Sequence, residues 1–293
     1  MGSILLFIIK GYIALWTAQI QRLRSLIMLR HLRLMFCFAK FSLLGELAFR
    51  SNFLLKILVE LIWLGILLTF FKTIFGKSSN VAGWNEHEFL FFVGAYYALE
   101  GFVETFFLEN CVEFSELVRS GNLDFCLLKP IDPQFFITLR RVDWSTAPKI
   151  LLGFIMISFA MYEIGKPLEL WKVPLFLILF LCGCSLAYSF LLLLTALSVW
   201  MIRNQSLMEV WWLFTNLMRY PRQIYDSEWA LPIRMVFGFI IPALLAVSIP
   251  VEFAVKEINI EFTLFLFVIA VVYFQLSRMF FNYSLKYYRS ASS

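Results

Sequence analysis

The chain has 293 residues, 61% of them hydrophobic, 18% aromatic and only 15% charged, with a mean hydropathy of +0.80 and a net charge of +5. A water-soluble domain would be about half apolar and a quarter charged, so a soluble globular protein is excluded. Several apolar runs exceed the ~18 residues that suffice for a membrane helix, and strand-period alternation is absent, which argues against a β-barrel.

In chain order, residues 4–20 predict a short apolar helix in or on the membrane. Residues 21–50 alternate basic and apolar positions, as an interfacial helix does. The basic residues Arg22, Arg24, Arg30, Arg33, Lys40, Arg50 and Lys56 crowd this end, and Lys286 and Arg289 lie at the other. The positive-inside rule therefore puts both termini in the cytoplasm and predicts an even number of spans. The basic stretch is read as attraction to anionic lipid, not to nucleic acid. Lys10 interrupts the first apolar run, and the basic cluster follows it, an order unlike that of a cleavable signal peptide.

The first span is expected at 53–75, with Lys56 and Glu60 four apart on one face near its cytoplasmic end. An external loop follows, with Gly83-Trp84-Asn85 as turn and interface anchor. The second span, 89–109, returns the chain to the inside. There a polar break, Glu113 to Pro130, separates two lipid-like stretches. Its charges, Gly121 and Pro130 forbid a span, yet it carries Phe114, Leu117, Val118, Leu123, Phe125, Leu127 and Leu128. Such an apolar set needs burial, and a docked protein is the natural cover.

The third span is expected at 145–163 and the fourth at 173–201, joined by an external loop with Gly165, Lys166 and Pro167. Residues 206–220 are apolar but short. Residues 231–251 are more apolar but broken by Pro232, Pro242 and Pro250. Either 206–220 is an interfacial helix and 231–251 the fifth span, or 206–220 crosses and 231–251 is a hairpin dipping back from outside. Arg219 and Arg222 favour the first arrangement. The last span is expected at 261–282.

Chemistry-bearing motifs are few. Cys37, Cys111, Cys126, Cys182 and Cys184 lack zinc-site spacing, and His31 and His87 are the only histidines. Gly76-Lys77-Ser78 resembles the tail of a phosphate loop, but Phe71 stands where the first glycine is required and no buried strand precedes it. Any ATP-driven function thus needs a second polypeptide. Glu100 and Glu104 lie four apart on one face of the second span. Ionisable groups in a span are costly and are functional or paired. They offer a candidate substrate or proton path; the alternative is neutralisation by basic groups such as Lys56 or Arg141. No histidine, metal cluster or nucleophile elbow accompanies them, so hydrolytic chemistry is not supported.

The stretch Glu116-Leu-Val-Arg-Ser-Gly-Asn-Leu-Asp-Phe-Cys-Leu-Leu-Lys-Pro130, followed by Asp132-Pro-Gln-Phe135, resembles the cytoplasmic coupling-helix region of exporter-class ABC permeases of the type-two family, in the viologen-exporter-like subgroup. Supporting matches are Glu46-Leu-Ala-Phe-Arg-Ser-Asn-Phe53, Ala82-Gly-Trp-Asn85, Tyr220-Pro-Arg-Gln-Ile-Tyr225, Ile240-Ile-Pro242 and Ile249-Pro250. The resemblance covers roughly residues 40–285.

It implies an all-α polytopic membrane protein of about six spans, with a cytoplasmic coupling helix and a re-entrant hairpin before the last span. The expected organisation is an N-terminal apolar segment and interfacial helix (1–50), one transmembrane permease domain (51–285) and a cytoplasmic tail (286–293). The implied function is the non-catalytic permease subunit of an ATP-driven exporter in a bacterial plasma membrane. ATP and Mg would sit on a separate ABC ATPase subunit, and a second permease subunit, identical or sister, would complete the pathway. The implied coupling residues are Glu116, Leu117, Arg119, Gly121, Leu123, Asp124, Phe125, Leu127, Lys129 and Pro130, with Gly121 in the left-handed conformation that ends a helix. A secondary carrier using Glu100 and Glu104, or a membrane scaffold without transport, are the competing expectations.

Overall fold

A computed structural model describes residues 29–165, 169, 171–201, 205–256 and 259–288. The expected apolar helix at 4–20, together with Arg22, Arg24, Lys166 and Arg289, lies outside the described residues. Those described are helical throughout, apart from loops and one isolated bridge between Val81 and Trp84.

Helix α1 (29–48) presents Leu29, Leu32, Phe36, Leu44 and Leu47 outward and is followed by α2 (Arg50–Phe75). In α2 only Leu64, Phe71 and Phe75 are buried, so most of its apolar surface faces away from the chain. Helix α3 (Glu86–Val103) starts with a capping box between Asn85 and Glu88. It passes through a π-helical turn (Glu104–Leu108) directly into α4 (Glu109–Ser120). The three form one 35-residue helix, about 52 Å long at 1.5 Å per residue, against a hydrocarbon core of about 30 Å. This corrects the expected layout: the second span does not stop before the amphipathic break, because α4 is its continuation beyond the length a bilayer needs.

Gly121, at φ 75°, ends α4 in the left-handed conformation anticipated from the sequence. The short helices α5 (Leu123–Leu127) and α6 (Pro133–Leu139) follow, the latter capped by the Asp132 carboxylate on Phe135 N at 3.0 Å. Helices α7 (Ala147–Ile164) and α8 (Lys172–Leu197) match the expected third and fourth spans. Helix α9 (Gln205–Met218), a 3₁₀ turn (Arg222–Tyr225), α10 (Leu231–Met235) and α11 (Ala243–Val255) precede the final span, α12 (Ile260–Tyr287).

Among the described residues, five helices are long and apolar enough to cross a membrane. A sixth candidate is the pair 231–238 and 243–255, bent by 83°. Two contacts fix how this pair runs. Before it, Gln223 accepts a hydrogen bond from Trp84 Nε1 at 3.1 Å. After it, Lys256 Nζ donates to Gly83 O at 2.8 Å and sits 3.8 Å above the Trp84 ring. Both flanks meet the same α2–α3 loop, so the segment leaves and returns at one end of the bundle. The hairpin arrangement is the one adopted, against the charge-based vote of Arg219 and Arg222. Those arginines face local partners: Arg222 forks onto Glu252 at 2.8 and 2.9 Å, and Arg219 makes a longer contact of 3.4 Å with Tyr96. Burial lowers the pKa of Lys256, which ties this end together.

Small residues set a close crossing between α3 and α7. A Cβ on Gly94 would meet Gly153 O at 2.9 Å, one on Gly153 would meet Ala98 N at 2.6 Å, and one on Gly101 would meet Lys149 Cβ at 2.5 Å. Gly94, Ala98 and Gly101 form one stripe of α3 against which α7 lies backbone to backbone, the pattern that close helix pairs in membranes use. The same closeness carries Lys149 into the space between α3 and α2.

Candidate functional site

Two places concentrate polar chemistry. The first is a cavity of about 520 Å³ between α2, α3, α7 and α9. Lys149 Nζ lies 2.7 Å from Glu104 Oε2, 3.2 Å from Glu60 Oε2 and 3.5 Å from Glu100 Oε2. Glu100, Glu104 and Lys149 are all less than one-tenth exposed. Tyr96, buried, donates its hydroxyl to Glu100 Oε1 at 2.6 Å and accepts a 3.4 Å contact from Arg219 Nη2. Tyr97 donates to Glu60 O at 3.1 Å, and its ring lies 5.5 Å from Lys149 Nζ.

The sequence brought Glu100 and Glu104 together correctly but named the wrong neutralising groups. Lys56 pairs with Asp143 at 3.4 Å, and Arg141 pairs with Glu109 and Glu113 at 3.6 and 3.2 Å. Lys149 does the work, with Glu60 as a third carboxylate. A lone lysine early in the third apolar run, facing a small-residue stripe, was the available signal. An ammonium here is favoured by several carboxylates at once, which offsets the cost of burying it.

The second place is the segment from α4 to α6. The expected coupling residues divide by burial. Leu123 and Phe114 are fully buried and Leu117 nearly so, packed with Phe136, Ile137, Leu192 and Phe281 of the same chain. That corrects the expectation that this apolar set awaits a partner: much of it is the chain's own core. What remains outside is Phe125, 69% exposed, and Leu128, 81% exposed. Around them Glu116 and Arg119 form an exposed pair at 2.8 Å, Asp124 and Leu127 are partly exposed, and Pro130 is exposed. Lys129 Nζ lies 4.1 Å over the Phe136 ring.

The base beneath this tip is bolted down. Asn110 donates to Arg141 O at 2.7 Å and accepts from Arg141 N at 3.0 Å. Arg140 pairs with Glu113 at 2.8 Å, Gln134 donates to Tyr188 OH at 2.9 Å, and Arg278 pairs with Asp132 at 3.0 Å.

Helix α1 adds contacts that the sequence did not suggest. Trp144 Nε1 donates to Ala39 O at 2.9 Å, and Trp144 N donates to Glu46 Oε1 at 2.8 Å. Val142 N donates to Ser42 Oγ at 3.1 Å, the His31 ring stands edge-on to Phe135 at 4.6 Å, and Arg30 reaches Pro130 O at 3.4 Å. Helix α1 thus lies along the back of the α5–α6 segment. Burial raises the pKa of Glu46 against the opposing hydrogen bond from Trp144.

No group of three or more His, Cys, Asp or Glu side chains among the described residues has metal-binding geometry. No match is found among curated proteins or solved structures. The family described as ABC-2 family transporter protein matches residues 61–292, most of the chain, including the bent pair and the five long apolar helices except the first turns of α2. On that match, the chain belongs to the ABC-2 family of transporter proteins.

Proposed function

We propose that the chain is the permease subunit of an ATP-driven exporter, acting with a separate ATPase subunit and a second permease subunit, identical or sister. The observation that carries this is the exposed tip formed by Phe125 and Leu128, at the far end of a helix longer than the bilayer requires and on a base held by buried polar contacts. Apolar groups on a rigid projection are suited to seating in a partner's groove. Because α4 continues α3, a push on the tip is delivered along the helix that carries Glu100 and Glu104.

In this reading the tip faces the cytoplasm of a bacterial cell, both termini lie on that side, and ATP and Mg reside on the partner. The permease itself performs no catalysis. ATP binding draws the ATPases together, shifts the tips and biases the spans toward an outward-open arrangement. The nucleotide supplies the differential affinity that any such switch needs. A carrier working alone through Glu100 and Glu104 is not favoured, since the family match is to a transporter permease that works with a partner. The test is co-purification of the ATPase with the full chain bearing Phe125→Asp and Leu128→Asp. Undiminished recovery of the ATPase would overturn the docking assignment.

A further inference from the structure

The polar cavity has two chemically different ends. At one, Glu60, Glu100 and Glu104 surround a single ammonium, that of Lys149. At the other, Arg219 makes one long hydrogen bond, 3.4 Å to Tyr96 OH, its guanidinium lies 5.6 Å from the centre of the Tyr96 ring, and its Nε is buried without a hydrogen-bond partner. A guanidinium carries five donors, and leaving a buried one unmade is costly. Tyr96 OH stands between the two ends, donating to Glu100 and accepting from Arg219. The mouth is framed by apolar side chains that point away from the bundle: Trp63, Ile66 and Phe70 from α2 and Trp212 from α9, all about half exposed.

We propose that this cavity binds a zwitterionic amphiphile drawn from the bilayer. Its ammonium would lie at the carboxylate end, where negative charge exceeds positive. Its phosphate would lie on Arg219, whose planar fork suits phosphate oxygens. Its acyl chains would leave between Trp63 and Trp212 into the lipid. The three parts are needed together. An anionic amphiphile would meet the carboxylates unneutralised, a cationic one would leave Arg219 unpaired, and a neutral one would use neither end. Tryptophan at the mouth suits a molecule polar at one end and apolar at the other. That this amphiphile is also the cargo rests on the permease reading; that it binds does not.

The full chain in detergent, offered equal amounts of phosphatidylethanolamine, phosphatidylglycerol and diacylglycerol with matched acyl chains, is examined by native mass spectrometry. Phosphatidylethanolamine should bind at least tenfold more tightly than either of the others. Arg219→Gln should erase its advantage over diacylglycerol, and Arg219→Lys should restore part of it. Equal retention of phosphatidylethanolamine and phosphatidylglycerol, or an unchanged profile in Arg219→Gln, overturns the proposal. Soluble phosphoethanolamine binding as tightly as the lipid overturns the bilayer origin. If Arg219→Gln loses its thermal transition, Trp63→Ala with Trp212→Ala at the exposed mouth takes its place. That pair should weaken retention several-fold, and unchanged retention would count against the proposal. Neither variant touches the coupling tip, so ATPase co-purification should persist in both. Its loss in the tip variants alone tests the permease reading separately.

Discussion

Lys149 Nζ lies 2.7 Å from Glu104 Oε2, which joins the third span to the second at a point where both side chains are almost wholly buried. Glu60, at 3.2 Å from the same nitrogen, adds the first span to the junction. Helix α2 has little other buried attachment along its middle, since its buried side chains are Leu64, Phe71 and Phe75. The ammonium therefore acts as a three-way tie.

Removing that tie leaves three carboxylates facing one another. Lys149→Met should destabilise the protein by about 3–5 kcal/mol, the range for breaking a buried ion pair from one side. Lys149→Met combined with Glu104→Gln should recover part of the loss, because one uncompensated charge goes with it. Thermal unfolding in detergent and membrane abundance report both. A single variant as stable as the parent would show that the cluster is hydrated and weakly coupled.

The hairpin makes a topological prediction. Asn80, in the loop beside Gly83 and Trp84, and Asp226, just after the 3₁₀ turn, belong to the same end of the bundle. Cysteines placed at these two positions should react with an impermeant thiol reagent from one side, and a cysteine at Ser120 only from the other. Opposite labelling of positions 80 and 226 would turn the bent pair into a span.

Packing gives a sharper pair. A Cβ on Gly183 of α8 would clash with Ala246 O of α11, whereas one on Gly45 meets nothing within 4 Å. Gly183→Ala must push the returning limb of the hairpin away, at about 1–3 kcal/mol for overpacking. Gly45→Ala should be neutral or stabilising by up to about 1 kcal/mol, since alanine favours the helix. Equal melting temperatures for the two variants would show that α8 and α11 do not touch as described.

The spans were legible because run length alone decides whether a helix can cross a bilayer, and the boundaries of α7, α8 and α12 follow from it. Gly121 was legible because few residues other than glycine end a helix left-handed at ordinary cost. Lys149 was not, since a lysine near the start of an apolar run also reads as an interface anchor. Its role depends on the missing side chain at Gly101, a contact between distant parts of the chain. The division of Leu123 from Phe125 was hidden for a different reason: a five-residue helix shows too little periodicity to reveal its inner face. The docking of α1 rests on Trp144 and Ser42, roughly a hundred residues apart, with no local signature.

That docking has a pH signature. Burial raises the pKa of Glu46 above its ordinary value of 4.5. The docked state then holds a proton more firmly than the free side chain, so docking should strengthen as pH falls through the range just above 4.5 and weaken as it rises. Glu46→Gln should remove this dependence while keeping an acceptor for Trp144 N, and Glu46→Ala should lose the acceptor as well. Hydrogen exchange at the Trp144 amide distinguishes the three. A pH slope unchanged in Glu46→Gln would assign it to another group.

The exposed tip separates apolar positions that look alike in sequence. Leu123 is fully buried against the chain's own α6 and α12, while Phe125 and Leu128 face outward. Leu123→Asp would bury an unpaired carboxylate and should cost several kcal/mol of stability, seen as lost membrane protein. Phe125→Asp with Leu128→Asp changes only exposed positions and should leave abundance and melting temperature within about 0.5 kcal/mol of the parent. The same double variant would place two charges in the proposed contact with the ATPase, where each buried unpaired charge weakens docking. A loss of about 3 kcal/mol there corresponds to more than a hundredfold in affinity. The expected pattern is an intact permease that no longer retains its ATPase, beside a Leu123 variant that fails to accumulate at all. A tip variant that keeps its ATPase at parental yield would move the docking surface elsewhere on the chain.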